Sequence, residues 1–364
     1  MSASLPEFPW DTLAEAKALA AAHPDGIVDL SVGTPVDPVA PVIRRALTAA
    51  GSAPGYPTTA GTPGLRASVA AALSRRFGVT GLGAAAVLPV IGSKELIAWL
   101  PTLLGLGAPD VVAVPELAYP TYEVGARLAG AQVLRADSLT QLGPQTPALI
   151  YLNSPSNPTG RVLGVEHLRK VIGWARERGS VVASDECYLG LGWDAEAPRP
   201  LSVLHPSVCD GDHTGLLAIH SLSKSSSLAG YRAGFVAGDP ELVAELLAVR
   251  KHAGMMVPTP VQAAMVAALD DDEHEDAQRE RYRRRRDALL PALRAAGFRI
   301  DHSEAGLYLW ATRDEPCRDS VTWLATRGIL VAPGDFYGPA GARHVRVALT
   351  AADERVAAAV ERLT

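Results

Sequence analysis

Short runs of β-branched and leucine side chains alternate along the chain with stretches whose apolar residues recur at three- and four-residue spacing. The runs at 87–90, 111–114, 148–152, 181–184, 216–220 and 234–237 predict strands. Between them, residues 65–77, 94–104, 122–128, 165–178 and 241–252 predict helices, and an Ala-rich helix is expected earlier at 14–22. The strands are apolar almost throughout rather than alternating, as in a sheet covered on both faces. Strands that alternate with helices in this way predict an α/β fold: a large domain with a mostly parallel sheet and helices on both faces.

After about residue 270 the pattern changes. Residues 270–276 are acidic and 279–286 basic, and together they predict one long charged helix continuing through Ala295. The run Arg283-Arg284-Arg285-Arg286 reads as a solvated helix face beside an acidic neighbour rather than a nucleic-acid patch. Strands at 298–300, 306–311, 329–331 and 344–348 follow, with helices at 319–327 and 353–363. That is a small α+β unit. The expected organisation is an N-terminal arm over 1–37 packing with the small domain, a large domain over 38–282, and a small C-terminal domain over 283–364.

Length and composition narrow the classes. At 364 residues the chain has room for two or three domains, and 48% hydrophobic residues supply a sizeable core. Thirty-four Lys plus Arg against 39 Asp plus Glu leave a net charge of −5, with no general pull toward nucleic acid or an anionic membrane. Cys187, Cys209 and Cys317 are odd in number and form no C-x-x-C pair, so neither a disulfide framework nor a zinc site is expected, and a reducing cytoplasm fits. The first ten residues lack the basic start of a signal peptide. The apolar stretch 96–106 contains Pro101 and is too short to span a bilayer.

Three predicted strands end in unusual polar residues, where ligands of open α/β sheets bind. Asn153-Ser154-Pro155-Ser156-Asn157-Pro158-Thr159-Gly160 follows the first, Asp185-Glu186-Cys187-Tyr188 the second, and Ser221-Leu222-Ser223-Lys224 the third, with Arg232 eight residues beyond Lys224. Each has an ordinary reading alone: a good turn, a helix cap, a surface lysine. Together they supply what pyridoxal 5′-phosphate requires, an amine and a carboxylate partner for the ring nitrogen. Lys224 can be the amine and Asp185 the carboxylate, which favours a protonated ring. Asn157 and Tyr188 can donate to the ring hydroxyl oxygen. Ser221, Ser223 and Arg232 can take the phosphate, helped by Gly92-Ser93-Lys94 at a helix start. Tyr119 can lie on the ring, or simply pack its loop.

With these residues in this order, the chain resembles the fold-type I, class I/II pyridoxal phosphate-dependent aminotransferases, from Leu30-Ser31-Val32-Gly33-Thr34-Pro35 to His344-Val345-Arg346-Val347. The resemblance implies that Lys224 joins the cofactor and shuttles a proton, that Asp185 pairs with the ring nitrogen, and that Asn157 and Tyr188 hold the ring oxygen. It implies a phosphate cup of Gly92, Ser93, Lys94, Ser221, Ser223 and Arg232, with Tyr119 stacked on the ring. It also implies a homodimer in which Tyr56, in Gly55-Tyr56-Pro57-Thr58, reaches the other subunit's phosphate. Arg346 would bind the substrate α-carboxylate, helped by the Gly33 backbone and Asn157. Ser-Val-Gly-Thr-Pro-Val-Asp-Pro and Tyr-Pro-Thr-Thr-Ala-Gly-Thr-Pro resemble more narrowly the actinobacterial N-succinyldiaminopimelate aminotransferases. That likeness implies amino transfer between glutamate and N-succinyl-2-amino-6-oxopimelate in lysine biosynthesis. The short segment Phe8-Pro9-Trp10-Asp11-Thr12, where many relatives have a longer basic arm, leaves the substrate-capping contacts unassigned.

Other reactions share these cofactor residues, including aspartate aminotransferase, C–S lyase and decarboxylase chemistry. Arg346 favours transamination or racemisation over decarboxylation, because a carboxylate gripped by a planar guanidinium is kept rather than lost. A non-enzymatic, aminotransferase-like transcription regulator would need a DNA-binding module, and too few residues precede Gly33 to form one. No G-x-x-x-x-G-K-[ST] or G-x-G-x-x-G element opens a helix, which argues against a plain nucleotide-binding protein.

Overall fold

The apolar strands assemble into one central sheet in a computed structural model that describes residues 5–193 and 199–364. Strand β1 (Val28–Asp29) lies outside this sheet. β2 (Val87–Ile91), β3 (Val111–Val114), β4 (Gln132–Arg135), β5 (Leu149–Asn153), β6 (Val181–Asp185), β7 (Leu216–Ser221) and β8 (Ala233–Gly238) form it in the order β2-β8-β7-β6-β5-β3-β4. Pairing is parallel from β7 through β4, and β8 is antiparallel to both of its neighbours. Successive residues feed opposite faces, as strand geometry requires. Leu216 and Ala218 join one apolar cluster while Leu217 and Ile219 join the other. Both faces are covered by helices, so the alternation is hidden in the sequence as a continuous apolar run.

Among the elements not expected from the pattern are an edge strand and two helices. β4 is an edge strand, Gln-Val-Leu-Arg, exposed at its first residue and half-buried beyond it, so it lacks the apolar signature of its neighbours. Helices Pro41–Ala49 and Thr259–Leu269 pack on each other and begin with proline in the first turn, where its missing N–H costs nothing.

The small C-terminal domain contains β9 (Arg299–Asp301), β10 (Tyr308–Thr312), β11 (Ile329–Leu330), β12 (Ala332–Pro333) and β13 (Val345–Ala348). Four of these make an antiparallel sheet in the order β12-β13-β10-β9, whereas β11 pairs in parallel with β1. Helix Ala14–Ala21 of the N-terminal segment packs on helix Cys317–Ala325. The first four residues of the expected arm lie outside the described residues.

The charged stretch is a single helix, Glu273–Ala295, which runs unbroken through residues 282 and 283, where the sequence suggests a domain boundary. The solvated-face reading of its arginines needs correction. Arg283 and Arg284 are exposed, but Arg285 is buried and holds Asp37 through two hydrogen bonds of 2.6 and 2.9 Å, with a third to Asp353. The helix turns that one position toward the rest of the protein, and a buried guanidinium requires paired charge. Among the described residues no helix is long and apolar enough to cross a membrane.

Candidate active site

Strands β5, β6 and β7 end side by side, with Asn153 opposite Asp185 and Asp185 opposite Ile219. This register brings the three polar loops together at the carboxyl end of the sheet. Asn153 ties them: its amide donates to Asp185 O at 2.9 Å and to Pro155 O at 3.2 Å, and its Oδ1 accepts from Asn157 N at 2.7 Å.

The buried Asp185 accepts from the Tyr122 hydroxyl at 2.8 Å and from Cys187 N at 3.2 Å. Burial pushes its carboxyl pKa up against those bonds. No ion pair involves it among the described residues. Lys224 sits in the four-residue turn Leu222–Ser225 directly after β7, where Ser221 Oγ accepts from Ser223 N. Its amine donates to Gly33 O, and the Tyr282 hydroxyl donates to its carbonyl at 3.0 Å. Burial pulls the Lys224 pKa down, toward the neutral amine.

At another wall, Gly92 caps the N-terminus of helix Ser93–Leu103 with φ +79°. A Cβ at Gly92 would lie 2.3 Å from Arg232 Nη2, so glycine is needed for the guanidinium to approach the helix end. Arg232 donates to Ala229 O at 2.8 Å and has no carboxylate partner among the described residues. A guanidinium therefore stands beside the positive end of a helix, with nothing negative paired to it.

Arg346 comes from β13 of the small domain and is 2% exposed. It donates to Asn157 Oδ1 at 2.9 Å and to Ser31 O at 2.6 Å, while its buried Nε has no acceptor among the described residues. Its guanidinium carbon lies 3.9 Å from the centre of the Tyr308 ring. The Tyr188 and Tyr308 hydroxyls are 3.1 Å apart. Tyr119 meets Tyr122 edge to face at 5.8 Å, and burial pushes its phenol up to about 12.

These groups share one cavity of about 770 Å³. Gly33, Ser93, Lys94, Tyr119, Asn157, Asp185, Tyr188, Ser221, Ser223, Lys224, Arg232 and Arg346 line it. Gly92 supports it from behind Arg232. Tyr56 does not line it and is 98% exposed. Sequence reasoning missed Asn153, Tyr122, Ser31 and Tyr308, together with Phe8, Trp10 and Lys17 on the cavity wall. Tyr122 stands three residues after Tyr119 at a helix start, a spacing that hints at a shared face; Tyr308 carries no signal beyond belonging to a strand.

The residues fit pyridoxal phosphate. A buried carboxylate without a cation, and a guanidinium with a helix end without an anion, open on the same cavity. Those are the partners a pyridinium and a phosphate would need. Residues 25–363 match the family described as aminotransferase class I and II. The chain belongs to this family. Its members depend on pyridoxal phosphate. A probable aminotransferase of Mycobacterium tuberculosis is 81% identical over 364 residues, covering 100% of this chain and 86% of that protein. The 4-dedimethylamino-4-oxo-anhydrotetracycline transaminase of Streptomyces rimosus is 60% identical over 99% of both chains. Among solved structures, the N-succinyldiaminopimelate aminotransferase of M. tuberculosis superimposes with a TM-score of 0.85 at 28% identity, covering 97% of this chain and 96% of that one.

Proposed function

We propose that this transaminase moves an amino group between glutamate (or 2-oxoglutarate) and N-succinyl-2-amino-6-oxopimelate, with each half-reaction run at the cavity that holds Lys224, Asp185 and Arg346. The observation that carries the amino-acid half is Arg346: buried, facing the cavity and, among the described residues, without a carboxylate partner and with Nε lacking an acceptor. A planar guanidinium in that state is a receptor for a substrate α-carboxylate.

Pyridoxal phosphate, when bound, supplies the carbon that takes the amino group and a ring that accepts the electron pair released at the substrate Cα. Lys224 would be the amine that holds the cofactor covalently, and burial, which favours its neutral form, suits it to take up the substrate Cα proton. Asp185 would favour a protonated ring nitrogen, and Tyr122 and Cys187 N orient its two oxygens. Asn157 and Tyr188 would hold the ring oxygen, and Tyr119 would cover the ring. Ser93, Lys94, Ser221, Ser223 and Arg232 would bind the phosphate, with the partner's Tyr56 completing the cup in a homodimer. Arg346 and the Gly33 backbone orient the substrate so that its Cα–H faces Lys224.

Lys17 on the cavity wall supports a substrate with negative charge at its far end, and the volume admits a long one. The likeness to the M. tuberculosis succinyldiaminopimelate enzyme supports the same reading. The Streptomyces rimosus relative favours a second acceptor, 4-dedimethylamino-4-oxo-anhydrotetracycline. A panel of keto acceptors with the glutamate-loaded enzyme separates them. The highest kcat/KM is expected for N-succinyl-2-amino-6-oxopimelate, and turnover of other acceptors with none of this one would refute the substrate assignment.

A further inference from the structure

Tyr308 stands on β10, paired with the strand that carries Arg346. It is 3% exposed and touches three parts of the cavity. Its hydroxyl is 3.1 Å from that of Tyr188, with the two rings edge to face at 5.7 Å. Its ring face lies against the Arg346 guanidinium at 3.9 Å. Gly33 packs so closely that a Cβ there would come within 2.2 Å of the phenol oxygen, and the Gly33 carbonyl is the acceptor of the Lys224 amine.

A phenol has one proton to donate and lone pairs to accept. With the Tyr188 proton directed to the ring oxygen of the cofactor, the Tyr188 oxygen is left to accept, and Tyr308 is the adjacent hydroxyl that can donate to it. Hydrogen bonds in a chain polarise one another, so a Tyr188 that accepts from Tyr308 is a stronger donor. We propose that Tyr308 is a positioning residue, acting through Tyr188 on the ring oxygen of the bound cofactor and through its ring face on the Arg346 guanidinium. The proposal rests on the role given above to Tyr188 and does not depend on the keto acceptor. The two effects reside on different atoms and can be separated. The charged and titratable groups facing the pair are Asp185, Cys187, Lys224, Arg346, Tyr119, Tyr122, Tyr282 and Tyr337. All of them are retained when one oxygen is removed from Tyr308.

The test is a pH titration of the visible absorbance of the pyridoxal phosphate-loaded protein, with glutamate kinetics and the melting temperature of the cofactor-free protein measured alongside. Loss of a donor that stabilises an anionic oxygen raises the midpoint. Tyr308→Phe is expected to shift it upward by about 0.5 pH unit, with KM for glutamate within about twofold of normal. Tyr308→Leu also removes the ring and is expected to raise KM for glutamate about fivefold. In a Tyr188→Phe background, Tyr308→Phe should add no further shift, because the hydroxyl acts through Tyr188. An unmoved midpoint in Tyr308→Phe, accompanied only by a lower melting temperature, overturns the proposal. A fully additive shift in the double variant also overturns it. An unmoved midpoint in Tyr188→Phe alone overturns the Tyr188 assignment and this proposal with it, while leaving the substrate reading intact.

Discussion

Arg346 donates to Asn157 Oδ1 at 2.9 Å, joining residues 189 positions apart in the chain. The bond runs from β13 of the small domain to the loop after β5 of the large sheet. A group bound at Arg346 is therefore held next to the residues at the sheet end.

Arg346→Lys keeps the charge but loses the fork. Losing a hydrogen bond to a charged group costs about 1.5–3 kcal/mol. kcat/KM for glutamate should fall on the order of tenfold or more, with the visible absorbance of the bound cofactor unchanged. If Arg346 only stabilised its own domain, the variant would melt at lower temperature with KM unaltered. The obvious acidic partner for such a role, Glu304, is turned elsewhere and accepts from Val162 N at 2.9 Å.

Asp185→Asn preserves shape and most hydrogen bonding but removes the negative charge. The variant should bind pyridoxal phosphate by absorbance and lose about tenfold or more in kcat, since a neutral ring nitrogen is a poorer electron sink. Near-normal turnover would reduce Asp185 to a loop-closing acceptor for Cys187 N.

Tyr56, almost wholly exposed, has no role in the cavity of its own chain. Homodimers with two-fold symmetry are the commonest oligomers. Tyr56→Phe chains mixed with Lys224→Ala chains should regain one complete site per heterodimer, measured as recovered activity over either variant alone. A strictly monomeric active protein in sedimentation would refute a shared site.

Asp37 links the N-terminal segment to the long helix through Arg285. Burial opposes its charged form, but hydrogen bonds from Arg285 and Gln278 outweigh it and hold the carboxyl below its ordinary range. A depressed folded-state pKa adds stability above the unfolded-state pKa, and this is lost as pH falls through the folded value. Asp37→Asn should lower Tm at neutral pH, at a cost below the roughly 3–5 kcal/mol of a stranded buried guanidinium, because Asp353 still pairs with Arg285. Between about pH 6 and pH 3 its Tm should fall less than that of the unaltered protein. Equal falls would show that Asp37 does not titrate with unfolding.

The sequence by itself determined the buried strands, because a doubly covered sheet writes each of them as a local apolar run. It also determined the polar residues placed just after three of those strands, since the ends of neighbouring parallel strands must share one edge of the sheet. That is why Asn157, Asp185 and Lys224 group together in the sequence alone. Tertiary structure decided what depends on contact between distant segments. Edge strand β4 has one partner only and so carries no full apolar signature. Arg285 looks like its exposed neighbours in the chain, and only the packing of the long helix against Asp37, 248 positions away, makes it buried. Tyr308 and Tyr188, 120 positions apart, meet because the small sheet places β10 over the end of the large one. Periodicity records which face a residue turns inward; which residue waits there is set by how the two domains close on each other.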